Sequence, residues 1–178
     1  MVKIFFSIFF ILFSCIPVIK EKENLIPKSE IGIFNSNIRT DGYYYYERTI
    51  ELNDNEIANG ILYYVFNKEG FFIFKSTIFN YDTIIPFERL HEQIQNDLKL
   101  DGINSKTLLN NGVYIAMDND VMLRSFSSYH TNFTYGYKII KGNAKLDSLG
   151  RLTIDNIVYN FKQAQISNFD SVLKRKKW

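Results

Sequence analysis

From Thr40 onward the chain alternates apolar and polar positions with a period of two. Tyr44, Tyr46, Arg48, Ile50 and Leu52 carry the mainly apolar face, with Glu47, Thr49 and Glu51 between them. This is the pattern of a half-buried strand, and Asn53-Asp54-Asn55 ends it. Residues 61–66 and 71–79 read as two further strands, joined by Asn67-Lys68-Glu69-Gly70, a loop whose glycine suits a positive φ. The period then changes. Phe87, Leu90, His91, Ile94 and Leu98 recur at helical spacing among Glu88, Arg89, Glu92, Gln93 and Asp97, which predicts one amphipathic helix. Pro86 suits its first turn and Asp101-Gly102 its exit. Strand patterns return at 113–117, 121–126, 133–140, 144–146, 152–154 and 157–161. The segments between them are rich in turn formers: Asp118-Asn119-Asp120, residues 127–132, Lys141-Gly142-Asn143, residues 147–150 and Asp155-Asn156. About nine strands and one helix predict a mainly β fold, an antiparallel barrel or sandwich, and the barrel, partly open or closed, is preferred because closure removes exposed strand edges.

The first forty residues follow a different pattern. Met1-Val2-Lys3 precedes an apolar run, residues 4–13, broken only by Ser7. Crossing a bilayer takes about 20 apolar residues, so this short run behind a positive start reads as an export signal. It ends in Leu12-Phe13-Ser14-Cys15 and resembles a bacterial lipoprotein signal, in which the cysteine receives the lipid and becomes the first mature residue. That resemblance implies acyl chains, palmitate among them, on Cys15, with Ser14 and Leu12 at the small and leucine positions before it. Cys15 is the single cysteine, so acylation also removes what would otherwise be an unpaired thiol in an exported protein. Several acyl chains on one residue give lasting attachment, each buried CH₂ contributing about 0.8 kcal/mol. The organisation expected is a signal peptide over 1–14, the lipidated Cys15 with a flexible tether over 15–39, a β-barrel domain over 40–165 and a basic tail over 166–178. As a flexible chain the tether would reach roughly 25–30 Å.

Composition changes the picture in two places. With 178 residues, 46% hydrophobic and 22% charged, the chain fits one folded domain, not a disordered or repeat protein. Charge is nearly balanced, 21 Lys and Arg against 19 Asp and Glu, which argues against a nucleic-acid partner. Four of those cations, Lys174, Arg175, Lys176 and Lys177, sit together at the C-terminus, so the remaining body is mildly acidic. The tail suits a solvated end, or contact with lipid head groups.

Catalytic and metal-binding patterns are sparse. The two histidines, His91 on the apolar stripe of the helix and His130 in a polar segment, lie far apart and next to no nucleophile motif. They read as a hydrogen-bonded boundary residue and a surface-loop residue. Asp118-Asn119-Asp120 lacks the glycine and distal glutamate of a calcium loop and reads as a hairpin turn. No cofactor, metal site or catalytic residue is expected. Tyr43 to Tyr46, Tyr63, Tyr64, Tyr114, Tyr129, Tyr135 and Tyr137 put phenols on both faces of several strands, where they either fill the core or line a pocket.

Arg39-Thr40-Asp41-Gly42-Tyr43-Tyr44, Asn111-Gly112-Val113-Tyr114 with Asp120 beyond it, and Tyr159-x-Phe161 resemble the small uncharacterised lipoproteins of the Bacteroidota. The resemblance implies a lipocalin-like β-barrel body and carries no activity. The expectation is therefore a non-enzymatic cell-envelope lipoprotein, at the outer membrane in preference to the inner. It is expected to bind a small apolar ligand or an envelope partner protein. The alternative is a structural or assembly partner acting through its outer surface, and behind it a hydrolase whose carboxylates meet only in space.

Overall fold

A computed structural model describes residues 32–51, 57–78, 84–100, 103–104, 111–130, 135–167 and 169–170. Eight strands form a closed antiparallel barrel: β2 (Gly42–Glu51), β3 (Ile57–Phe66), β4 (Phe71–Ile78), β6 (Asn111–Asp118), β7 (Asp120–His130), β8 (Tyr135–Leu146), β9 (Leu152–Ile154) and β10 (Ile157–Gln163). Around the ring each strand pairs with its neighbour in the chain, and β10 closes on β2 through Phe161 opposite Tyr44. A barrel ring has no free edge to cover, which is the physical reason for closure.

Period-two alternation puts Tyr44, Leu62, Tyr64, Phe66, Phe72, Tyr114, Val121, Leu123, Leu146, Leu152 and Tyr159 on the inside. The opposite faces of β2, β3 and β4 carry a second core. There Tyr43, Ile61, Tyr63, Val65 and Ile73 meet Leu90, Ile94 and Leu98 of α1 (Phe87–Leu100). The helix starts where expected, with the Pro86 carbonyl accepting the Arg89 and Leu90 N–H groups. It lies outside the barrel because its apolar stripe finds a matching apolar strip on the outer wall.

Turn chemistry explains most of the hairpins. Asn67 bridges its loop through Oδ1, accepting from the Glu69 and Phe71 N–H groups, and Gly70 closes it at φ 86°. Asp147 does the same for the Leu149 and Arg151 N–H groups, with Gly150 at φ 73°. Asp155 and Asn156, at φ 48° and 66°, make the mirror-image two-residue turn that matches strand twist.

Three expectations need correction. The described part of the 133–140 segment and the 144–146 segment form one strand, β8, so eight strands close the ring, close to the nine expected. Lys141-Gly142-Asn143 does not turn, because all three residues pair with β7, at Arg124, Leu123 and Met122. Residues 127–130, expected as loop, continue β7, with His130 opposite Tyr135. Residues 32–36, which fall inside the 15–39 segment expected as tether, form a strand. β1 (Gly32–Ser36) pairs in parallel with 115–118 of β6, along the stretch beyond its pairing with β4, and Ile38 is buried behind it. Beyond the ring, β5 (Ile103–Asn104) pairs with β11 (Phe169–Asp170). Residues 1–31, which include Cys15, and the basic residues 174–177 lie outside the described set.

Candidate functional site

The barrel interior has two unlike halves. One end is reached by the β3–β4, β6–β7 and β8–β9 turns, and there Tyr44, Phe66, Tyr114 and Leu152 have no exposed surface. Its tyrosine hydroxyls are bonded to backbone. The Arg39 N–H donates to the Tyr44 oxygen at 2.9 Å, and the Tyr114 hydroxyl donates to the Asn67 carbonyl at 2.6 Å. Ile38 fills the end, and the Arg39 guanidinium lies 3.9 Å over the Phe161 ring while pairing through two hydrogen bonds with Asp41. This half is closed.

Toward the other end the same inward faces reach water. Tyr46 is 36% exposed and Ile140 49%, although both share the inward register of buried neighbours. Ser76, opposite Leu62, is exposed as well. An aromatic column connects the halves. Phe66 packs edge-on against Tyr114 and parallel to Tyr64, which meets Phe74 at 4.6 Å and Tyr159 edge-on at 5.2 Å, and Tyr159 in turn meets Tyr46. Burial raises the pKa of Tyr64 and Tyr159, with the charge of Asp155 in the β9–β10 turn adding to both, so these phenols stay neutral donors.

Arg48 stands on this wall. It follows Tyr44 and Tyr46 on the inward face of β2, opposite Gly60, and its Nε is buried with no hydrogen-bond partner. Besides Arg48, the inward strand positions with described side chains carry Tyr, Phe, Leu, Ile, Val, Ala, Gly and Ser, with Gln163 and Asp118 at the strand ends and no Asp or Glu between them. An apolar, aromatic wall beside a part-buried cation has the chemistry of a binding surface. For acid–base chemistry it offers no carboxylate or imidazole on the described wall between the strand ends.

The histidines are placed apart from this space. His91, 5% exposed, sits under α1 on the outer wall. Its Nε2 is 2.8 Å from Glu47 Oε1 and its Nδ1 2.8 Å from the Tyr43 hydroxyl. A carboxylate only accepts, so Nε2–H donates to Glu47, and Nδ1 accepts from Tyr43. Burial lowers the pKa of His91, outweighing the opposite pull of Glu47, and keeps it neutral. With Tyr43 fully buried, this chain pins the helix to the barrel, and both ring nitrogens of His91 are occupied. The backbone of His130 belongs to β7, and its side chain lies outside the described set, as do those of Tyr129, Tyr135 and Tyr137. Among the described residues no three His, Cys, Asp or Glu side chains gather as metal ligands would.

A second concavity, about 590 Å³, lies outside the barrel between Gln95, Asn96 and Lys99 of α1 and residues 163–165, beside Asp41. It is open and lined mainly by groups that water satisfies. The interior wall is the better candidate, because it combines apolar and aromatic surface with the part-buried Arg48. Comparison with protein-family models, with curated proteins and with solved structures finds no match.

Proposed function

We propose that this chain is a cell-envelope lipoprotein, held to a membrane by lipid on Cys15, whose barrel takes up a small apolar ligand through its open end without catalysing a reaction. One observation carries the ligand half. The interior is filled at one end and, on the same strands, lined by exposed Tyr46, Ile140 and Ser76 at the other.

The exterior supports the rest. The outward positions include Thr49 on β2 and Lys141, Asn143 and Lys145 on β8, all exposed. Apolar inside and polar outside is the reverse of a membrane-spanning barrel, and suits a body in water carried by an anchor. The apolar run 4–13 ending at Cys15 supports such an anchor.

Two measurements on the full-length chain test this. Fractionation of cells should find the chain with membranes and Cys15→Ala released from them; retention of the variant would overturn lipid anchoring. Native mass spectrometry of purified Cys15→Ser, with a solvent extract, should show an added small-molecule mass. A bare chain that copurifies stoichiometrically with an envelope protein would favour action through the outer surface.

A further inference from the structure

We propose that the closed end of the barrel faces an anionic membrane, where the basic C-terminal tail meets lipid head groups while Leu100, Leu149 and Met117 enter the interface, so that the open end looks away into water. The inference adds to the anchoring proposed above and rests on the chain lying at a membrane, not on acylation of Cys15.

Both termini leave the body at the same end of the barrel. Strand β1 begins at Gly32, opposite Ile115 and three residues short of Asp118, so residues 1–31 join the body within about 10 Å of its closed end. The other terminus follows β10, which runs toward the closed end and pairs Gln163 with Gly42, the first residue of β2. Beyond it the Ala164 N–H donates to the Asp41 carbonyl, and the Ser167 N–H donates to the Leu98 carbonyl in the last turn of α1. That helix runs from the open end, where the Ile85 carbonyl before it accepts from Asn59, to the closed end, where Gln95 and Lys99 face Asp41. Phe169–Asp170 then pairs with Ile103–Asn104 just past the helix. Lys174, Arg175, Lys176 and Lys177 follow four to seven residues after Asp170, with Trp178, the single tryptophan, behind them.

The surface agrees with the topology. Among the described residues, the three most exposed large hydrophobic side chains all stand at this end: Leu100, 77% exposed, closes α1, Leu149, 75%, sits in the β8–β9 turn, and Met117, 57%, precedes the β6–β7 turn. In water such side chains gain nothing, whereas at a bilayer interface they bury apolar surface, and a tryptophan beside them suits the same depth. The charged groups around them, Lys68, Glu69, Asp118, Asp120 and Lys145, are mixed in sign. Attraction to an anionic surface therefore falls to the four cations of the tail, which act within a Debye length of it. A polybasic segment combined with a second membrane signal gives stable attachment where either alone is marginal.

The test is lipid quenching of a fluorescent label on the full-length Cys15→Ser chain, which has no other cysteine. Ser148→Cys puts the label in the β8–β9 turn at the closed end, and Glu51→Cys puts it at the open end of β2, both at exposed positions. Whatever the apolar run 4–13 adds to vesicle binding is the same for both, so the difference between labels reads which end approaches the lipid. On phosphatidylcholine vesicles with about one-third phosphatidylglycerol and a spin-labelled lipid, the label at 148 should be quenched several-fold more than that at 51. The difference should fall toward parity at about 0.5 M salt, where the Debye length is about 4 Å. Lys174→Gln, Arg175→Gln, Lys176→Gln and Lys177→Gln together should have the same effect, and they remove nothing from either core. Equal quenching at the two positions, or more at 51, would overturn the membrane-facing end. A difference that survived both salt and the tail substitutions would overturn the anionic head groups as the tail's partner. Retention of Cys15→Ala by cell membranes bears on acylation alone, so the two readings fail separately.

Discussion

Gly112 and Gly142 both face the barrel interior, and the structure makes opposite demands on them. A Cβ at Gly112 would overlap the Phe72 ring and the Arg124 carbonyl oxygen, whereas a Cβ at Gly142 would meet only the Leu123 Cβ, at an ordinary 3.8 Å. Gly112→Ala should therefore destabilise by about 1–3 kcal/mol, as overpacking does. Gly142→Ala should stabilise by up to about 1 kcal/mol, since glycine inside a strand carries an entropic penalty. Urea midpoints of the two variants check both signs. His91 gives a pH-dependent prediction. Its neighbours are Tyr43, Tyr45, Glu47, Glu88 and Lys162, and burial leaves its folded pKa below the ordinary 6.5. In the window below 6.5 the unfolded chain binds the proton and the folded chain does not, so stability falls as pH falls through it and is fully present above it. The urea midpoint should drop between about pH 7.5 and 5.5, and His91→Gln should flatten that drop. A midpoint that rose on acidification would mean that the Glu47 ion pair outweighs burial. At this scale His91 was legible as a bonded boundary residue from its place on the helix stripe. Arg48 was visible as the charged member of an otherwise apolar face, but nothing in the alternation says whether such a residue escapes to water or stays inside.

Among the elements, α1 shows most directly how sequence becomes architecture. Its stripe predicted the helix, and the structure adds that the stripe covers β2 and β3 from outside, with Ile94 and Leu90 fully buried. Ile94→Ala should cost about 2–5 kcal/mol, the range for a large core side chain cut to alanine. Hydrogen exchange should then speed up across 87–100 more than across the β7–β8 hairpin, because that hairpin makes no part of the outer core. Equal acceleration everywhere would contradict the helix being a separate layer. The strands were legible where one face is apolar and the turns are chemically specified, as at Asn67, Asp147 and Asp155. They were misread where a strand lines the open half. Ser125 and Ser127 occupy inward positions and stay partly exposed, so the sequence of β7 reads as polar loop beyond 126. Gly142 looked like a turn residue, yet the eleven register pairs of β7 with β8 carry it straight through. Strand β1 left no signal at all, because its pairing with β6 depends on backbone groups left over past the end of β4.

As a whole molecule the protein is a meander closed on itself, with a helix laid on one wall, one end of the bore filled and the other lined for contact. The closed end is fastened by Arg39 on Tyr44 nearby in the chain and by two pairs distant in sequence, Tyr114 on Asn67 and Ala164 on Asp41. Removing the hydroxyl in Tyr114→Phe should cost about 1–2 kcal/mol by orphaning part of the Asn67 carbonyl's bonding. It should leave ligand binding unchanged, since Tyr114 belongs to the filled half; a titration of variant against parent separates the two effects. That the chain would form a barrel was readable from strand number and turn spacing, whereas the division of its bore into filled and open halves depends on register around the ring and was not. The measurement that tests this division most directly is a ring- and methyl-resolved NMR titration of the full-length Cys15→Ser chain with a neutral apolar probe, decanol. The account predicts shifts at Tyr46, Tyr64, Tyr159 and Ile140, with Tyr44 and Tyr114 unmoved. Shifts confined to the outer groove at Gln95 and Lys99, or none at all, would contradict a ligand site inside the barrel.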